Sequence, residues 1–341
     1  RAGGYTTTRS GVDSSDPGDG IPCHNRGASL RSAVSPQHVV SPPHKERTIM
    51  GSPLPLQVSA EWLHRHLDDR DLVVVDATTI LPVPTDGPYV PESGEATYRA
   101  EHIPGAVFAE LLVDFADPAG AYDWTAPDHE RFAAAAGALG IGDDVRVVVY
   151  DQGDRYWATR LWWHLRYEGF DRVTVLDGGL PAWKAAGYEV TDVVPEPTPR
   201  TFTGTRRPEL IRSTEEVAAG LDDEKTVLVN VLDEATYRGE VDTYARRGHI
   251  PGSINVSVFT LREAETGTLR PIEELRPEFE AAGLLDSDTR VVTYCGGGIA
   301  ATGLAHALAL AGRDDVAVYD GSMSAWAGDP ALPLVTGASP R

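Results

Sequence analysis

The chain has 341 residues, of which 41% are apolar, and a formal charge of −21. That length suggests two domains of roughly 100–200 residues each, with enough apolar content for globular cores. The acid excess argues against nucleic acid or an anionic membrane surface as a partner, and no apolar run approaches the roughly 20 residues a membrane helix needs.

Residues 1–49 differ from the rest. They are rich in Gly, Ser, Pro and Arg with little apolar periodicity, and a disordered extension is expected there. Globular patterning begins just after Met50, which is read as the start of translation, with the preceding residues as upstream read-through. A transit peptide is the competing reading, and Asp13, Asp16 and Asp19 count against it. Of the two cysteines, Cys23 lies in this extension and Cys295 far downstream. That usage gives neither a disulfide framework nor a metal cluster. It suits a reducing compartment, and without an apolar signal segment a cytoplasmic protein is expected.

Beyond Met50, strand and helix signals alternate. Leu72–Asp76, Arg146–Tyr150 and Val173–Leu176 read as buried strands, and Glu130–Leu139 and Ala158–Tyr167 as helices. The series then recurs. Thr226–Val229, Arg290–Tyr294 and Val316–Tyr319 read as strands, and Leu304–Ala311 as a helix. Such alternation predicts an α/β fold with a mainly parallel sheet flanked by helices.

The recurrence extends to the residues themselves. His102-Ile-Pro-Gly-Ala106 matches His249-Ile-Pro-Gly-Ser253. Val147-Val-Val-Tyr-Asp151 matches Val291-Val-Thr-Tyr-Cys295, and Leu176-Asp-Gly-Gly179 matches Tyr319-Asp-Gly-Ser322. Three landmarks in one order, offset by 143 to 147 positions, indicate duplication of a whole domain. The expected units are 50–190 and 208–341. They are joined by a linker over 191–207 that holds Pro195, Pro197 and Pro199, with Pro208 just beyond, and reads as a semi-rigid connector.

The chemistry concentrates after the strand ending at Tyr294. Cys295 is followed by Gly296, Gly297 and Gly298, then by Ile299 and Ala300, near which a helix is expected to start. Glycines let the chain turn tightly with its N–H groups pointing inward. Such a nest at a helix N-terminus favours negative charge. A cysteine at its mouth is expected to be a stabilised thiolate, and a persulfide formed on it is also an anion. A buried, inert cysteine is the alternative. A nucleotide-binding loop is disfavoured because no Gly-x-Gly-x-x-Gly or Gly-Lys-Ser/Thr is present.

The order His-Ile-Pro-Gly, strand–Cys–loop–helix and Asp-Gly-Ser with Trp326 resembles the rhodanese family over about residues 56–330. The duplication resembles its tandem-domain members, the thiosulfate and 3-mercaptopyruvate sulfurtransferases. The resemblance implies two rhodanese-like domains with the site in the cleft between them. It also implies sulfur transfer from 3-mercaptopyruvate or thiosulfate to cyanide or a thiol such as thioredoxin, without metal or organic cofactor. The first domain is expected to be inactive, because Asp151 stands where Cys295 stands in the second.

The resemblance also assigns side chains. A loop without a cation is closer to the mercaptopyruvate type, although Gly297 replaces that type's serine. Family arginines that grip the donor's anion correspond to Arg238 and Arg247, with Arg246 beside them, while Leu232 and Thr236 stand where others are usual. His102 is expected to move a proton, oriented by Glu92 or Glu95, and His249 to be structural. Asp177 and Asp320 read as turn caps, and Trp183 and Trp326 as core or interface aromatics. Two rivals are a phosphatase, disfavoured because Ala301 stands where a Cys-x5-Arg loop needs arginine, and a sulfur-binding or regulatory module without turnover.

Overall fold

In the first half, strands β1 (Gln57–Val58), β2 (Leu72–Asp76), β5 (Val107–Phe108), β6 (Arg146–Tyr150) and β7 (Val173–Leu176) form a parallel sheet in the order β1-β7-β6-β2-β5. A small antiparallel pair, β3 (Thr79–Ile80) and β4 (Glu92–Ser93), stands apart. In the second half, β8 (Ile211–Arg212), β9 (Thr226–Asn230), β10 (Ile254–Asn255), β11 (Arg290–Tyr294) and β12 (Ala317–Tyr319) repeat that order as β8-β12-β11-β9-β10. The helices are α1 (Ala60–His66), α2 (Glu95–Ala100), α3 (His129–Ala138), α4 (Tyr156–Tyr167) and α5 (Gly179–Ala185) in the first half. In the second they are α6 (Thr214–Ala219), α7 (Glu234–Arg238), α8 (Ile272–Ala281), α9 (Ile299–Leu310) and α10 (Ser322–Gly328). This computed structural model describes residues 54–82, 90–122, 124–153 and 155–340. Met50, Cys23 and the expected 1–49 extension lie outside the described residues.

The central strands read as unbroken apolar runs because helices cover both faces of each sheet. Every residue of β6 is buried, as are all of β11 except Arg290. The longer expected strands are all present. Helix starts differ more. The helix expected to start near Ala300 begins at Ile299 and takes in the stretch read from Leu304, because the Gly298 turn feeds straight into it. The side chain of Asp128 accepts the Arg131 N–H at 2.8 Å and so starts α3 at His129. Trp183 and Trp326 are fully buried, each in a satellite cluster on the outer face of its own sheet.

The 191–207 segment is a docked strap. It contains no helix, and Thr191 bridges to His102. The Arg200 N–H donates to Gly137 at 2.9 Å and the Arg207 N–H to Tyr167 at 2.8 Å. Arg206 holds the buried Glu168 at 2.8 Å, and Arg207 pairs with Asp171.

The described residues fall in one compact unit, and its principal core runs through both sheets by way of α4 and α9. In α4 every residue but Arg166 is buried, and Ala301–Ala309 of α9 are buried too. A helix buried all round needs partners on every side, and each of these packs on its own sheet and on the other helix. The hydroxyls of Thr159 and Thr302 meet at 2.9 Å. They are equivalent positions of the two copies, so a pseudo-twofold axis passes between them.

Buried charges along this axis are paired. Arg155 holds Asp177 at 2.8 Å, and Asp177 also accepts the Leu269 N–H at 3.0 Å. Arg160 holds Asp320 at 2.6 Å, and Asp320 accepts the Ala126 N–H at 2.9 Å. Asp177 and Asp320 are therefore more than the turn caps expected from sequence: each ties its turn to the opposite domain. Arg155 also lies 2.9 Å from His306 Nδ1. A guanidinium can only donate, so Nδ1 accepts and the Nε2–H donates to the Leu56 carbonyl at 3.0 Å.

Two tests follow from this interior. Burial, then the charge of Arg155, holds His306 well below the usual histidine range, and burial with Arg160 and Arg206 does the same to His164. The unfolded chain binds these protons near pH 6.5 and the native one does not, so stability falls on acidification by about 1 kcal/mol per pH unit for each ring. Urea midpoints at about pH 7.5 and about pH 5.5 should show this drop, and His306→Gln should make it smaller; an unchanged gap in the variant refutes the assignment. Arg160→Leu leaves the Asp320 carboxylate buried without its cation, and thermal or urea unfolding should show a loss of about 3–5 kcal/mol.

Candidate active site

Cys295 stands at the C-terminal end of the central strand β11 and is 3% exposed. The strand stops there because Gly298, with φ of 79°, turns the chain directly into α9. A Cβ at Gly298 would lie 2.8 Å from the Asp320 carbonyl and 3.1 Å from the Arg160 guanidinium, so both conformation and space require glycine.

The Asp320-Gly321-Ser322 turn anchors this loop. The Cys295 N–H donates to Ser322 Oγ at 3.1 Å, and that hydroxyl donates to the Tyr319 carbonyl at 2.7 Å. The Cys295 carbonyl accepts the Met323 N–H at 3.0 Å. The Gly296 carbonyl accepts both the N–H and the hydroxyl of Ser324, each at 2.8 Å. Arg160, from α4, donates to the Gly298 carbonyl at 3.3 Å and to the Trp124 carbonyl at 3.0 Å.

The first domain shows what such a turn holds. Its Asp151 carboxylate accepts the N–H groups of Gly153 at 3.1 Å, Arg155 at 2.8 Å and Ala158 at 3.0 Å. Arg155 is the left-handed residue immediately before α4, with φ of 68°, as Gly298 is before α9. The first domain's loop is one residue longer, since the offset between copies falls from 144 at Asp151 and Cys295 to 143 at Thr159 and Thr302. The amides matching those of Arg155 and Ala158 are thus Gly298 and Ala301. An aligned carboxylate on the first-domain copy is a direct reading of the turn's affinity for a negative group.

The other expected site residues are distributed differently. Gly296 and Gly297 line the turn, and Ile299 and Ala300 open α9. Arg238 pairs with Glu234 one turn back on α7, and the exposed Arg247 pairs with Asp242 at 2.9 Å. Arg246 caps the end of α10, donating to the carbonyls of Trp326, Ala327, Asp329 and Leu332. None of these bonds reaches the loop.

His102 is fully buried and stacks on Tyr98 at 4.1 Å. Its Nδ1 faces the Tyr98 carbonyl at 2.7 Å and its Nε2 the Val193 carbonyl at 3.2 Å. His249 repeats this arrangement with Tyr237 and Ser339. Glu95 pairs with Arg99, and Glu92 is exposed on β4, so neither orients His102. The structure therefore gives both histidines the same packing position, each in its own domain.

Three neighbours of the loop carry no local sequence signal: Arg160, Tyr244 and Trp124. A Cβ at Gly296 would overlap the Tyr244 hydroxyl, and one at Gly297 would overlap the Trp124 indole. Among the described residues, no group of three or more His, Cys, Asp or Glu side chains is placed to hold a metal ion, and no helix is long and apolar enough to cross a membrane.

Comparison with known proteins agrees with this geometry. The rhodanese-like domain family matches residues 59–186 and again 213–329. Thiosulfate/3-mercaptopyruvate sulfurtransferase 2 of Arabidopsis thaliana is 35% identical over 306 residues, covering 83% of this chain and 87% of that one. The crystal structure of the 3-mercaptopyruvate sulfotransferase SseA from Escherichia coli superposes with a TM-score of 0.69 at 30% identity, over 79% of this chain and 99% of that one. An anaerobic ergothioneine biosynthesis enzyme from Chlorobium limicola, in complex with trimethyl histidine, superposes with a TM-score of 0.71 at 26% identity, over 83% of this chain and 70% of that one. With the duplication, the paired sheets and the cysteine turn in the second copy, the chain belongs to the rhodanese family, as a tandem-domain sulfurtransferase.

Proposed function

We propose that the protein moves sulfane sulfur from 3-mercaptopyruvate or thiosulfate to a thiol or cyanide through a persulfide on Cys295. The observation that carries this reading is the pair of equivalent turns. One holds a carboxylate on its amides, and the other has a cysteine at the same strand end. The Cys295 thiolate attacks the donor's sulfur and a new S–S bond forms. With 3-mercaptopyruvate the C–S bond breaks, its electron pair passes to carbon, and the enolate takes the proton released by the persulfide to leave as pyruvate. With thiosulfate the donor's own S–S bond breaks and sulfite leaves. The persulfide anion then rests against the amides of Gly298 and Ala301. A thiolate or cyanide takes the outer sulfur and returns Cys295 as thiolate, completing a two-step covalent cycle. Thioredoxin is a suitable dithiol acceptor, and a reducing compartment such as the cytoplasm keeps Cys295 ready.

Of the two donors, we favour 3-mercaptopyruvate. The turn contributes no cation, and the side chains of Arg238 and Arg247 are already engaged by Glu234 and Asp242. A monoanion makes the smaller demand on such a site than the thiosulfate dianion. His102 receives no proton-transfer role in this scheme, because its ring nitrogens face the backbone carbonyls of Tyr98 and, in the strap, Val193.

Thiocyanate formation with each donor, for wild type and Cys295→Ala, tests the reading. The wild type should turn over, faster with 3-mercaptopyruvate, and gain one sulfur by intact mass. Cys295→Ala should fall to the enzyme-free rate and gain none. A wild type that neither turns over nor gains mass with either donor sinks the proposal, and uptake without turnover favours the sulfur-binding module.

A further inference from the structure

The pseudo-twofold axis lays a segment of each domain over the other domain's turn. Over the inert turn this is 262–269, with the Leu269 N–H on Asp177 and Arg262 on the Gly153 carbonyl at 3.5 Å. Over the cysteine turn it is 124–126, with the Ala126 N–H on Asp320 and the Trp124 carbonyl on Arg160. Ala126 and Leu269 are 143 positions apart, as are Asp177 and Asp320. By the same offset Trp124 corresponds to Gly267. A Cβ at Gly267 would meet nothing within 4 Å, whereas the Trp124 ring lies directly on Gly297. The two covers therefore match in backbone and differ at this position: a large aromatic at Trp124 over the cysteine turn, a glycine at Gly267 over the other.

The indole is also incomplete as a hydrogen-bonding group. Its Nε1 is buried and has no acceptor among the described residues. Buried indole N–H groups usually find a partner, and leaving one unmade is unfavourable. This donor lies in contact with Gly297, two residues beyond Cys295, where a hydroxyl side chain would overlap it. Its missing acceptor is therefore sought in whatever the turn carries during reaction.

We propose that Trp124 is a binding residue of the sulfur-transfer site, its indole N–H donating to the outer sulfur of the Cys295 persulfide from across the domain interface. The inference rests on the persulfide reading above. It explains why Gly297 carries no side chain: the donor comes from the first domain, and its ring occupies the room a hydroxyl side chain would need. A sulfur anion accepts readily from an N–H, and the low dielectric of the cleft strengthens the bond.

Trp124→Phe keeps most of the ring and removes only the donor. It should unfold at the wild-type temperature, yet lose roughly tenfold to a hundredfold in the rate of sulfur transfer to cyanide, the range for a hydrogen bond to a charged group. The acid limb of that rate should move to higher pH, because the persulfide anion has lost a stabilising donor; a packing role alone would leave the limb in place. Gly297→Ser should be impaired by overlap with the indole, and adding Trp124→Gly, the residue found over the inert turn, should restore part of the activity. A Trp124→Phe enzyme with wild-type rate and pH profile overturns the proposal. So does a Trp124→Gly/Gly297→Ser pair no better than Gly297→Ser. The persulfide reading is judged separately, by the added sulfur mass on the wild type: if that mass never appears, both fail; if it appears and Trp124→Phe is unaffected, only this inference fails.

Discussion

The contact of α4 with α9 is the constraint from which the rest of the architecture follows. Both helices start at a strand-to-helix turn, and both are buried on all sides. With equivalent threonines meeting at the pseudo-twofold axis, each turn is carried to the far domain's surface. Neither turn is then complete by itself. The cysteine turn is built from β11, the start of α10, an arginine of α4 and a covering segment from the first domain's connection between β5 and α3. A single rhodanese-like half of this chain would expose Cys295 and lose Arg160 and Trp124 together.

The electrostatics of the axis are asymmetric in an informative way. The two arginines at the axis come from the first domain, Arg155 as the residue immediately before α4 and Arg160 within it, while α9 contains no Arg, Lys, Asp or Glu and carries only His306 as a titratable group. One domain supplies the cations for both Asp-Gly turns, Arg155 binding Asp177 in its own domain and Arg160 binding Asp320 in the other. A buried ion pair adds little net stability compared with apolar packing, but losing one partner is severe. Such pairs are well suited to fixing register between domains, which a smooth face of Ala and Leu specifies weakly. His306 fits this arrangement only while neutral, since its acceptor nitrogen faces a guanidinium.

Much of this was legible in the sequence, for physical reasons. Parallel strands covered on both faces must be continuously apolar, so Arg146–Tyr150 and Arg290–Tyr294 stand out as strands. The offset of the repeated landmarks gives the duplication, and the glycines after Cys295 give the turn. Two-residue strands such as β5 and β10 have no periodicity to detect. The neighbours of the turn were hidden for another reason. Trp124 and Arg160 reach the cysteine turn, at Gly297 and Gly298, only across the interface, and nothing near them in sequence marks them. Conversely, Arg238, Arg247 and His102 stood out by resemblance, but each has a local occupation: Glu234, Asp242 and a pair of backbone carbonyls. A sequence pattern says which residue types are available, and the competition among nearby partners decides what each one does.

Duplication also accounts for how the two turns diverged. In the first, Asp151 supplies a carboxyl group to amides that would otherwise be buried without acceptors. That turn is satisfied within its own domain, and its cover needs no donor, so Gly267 suffices. In the second, Cys295 brings no such carboxylate, and on the proposed persulfide reading the matching amides are left to a transient anion. Its cover then gains by carrying a further donor, and the apposed loop position must give up its side chain to admit the ring. Asp151 with Gly267 and Cys295 with Trp124 and Gly297 are thus two self-consistent solutions to one backbone. Exchanging any single member between them leaves either a buried anion without donors or a donor without an acceptor.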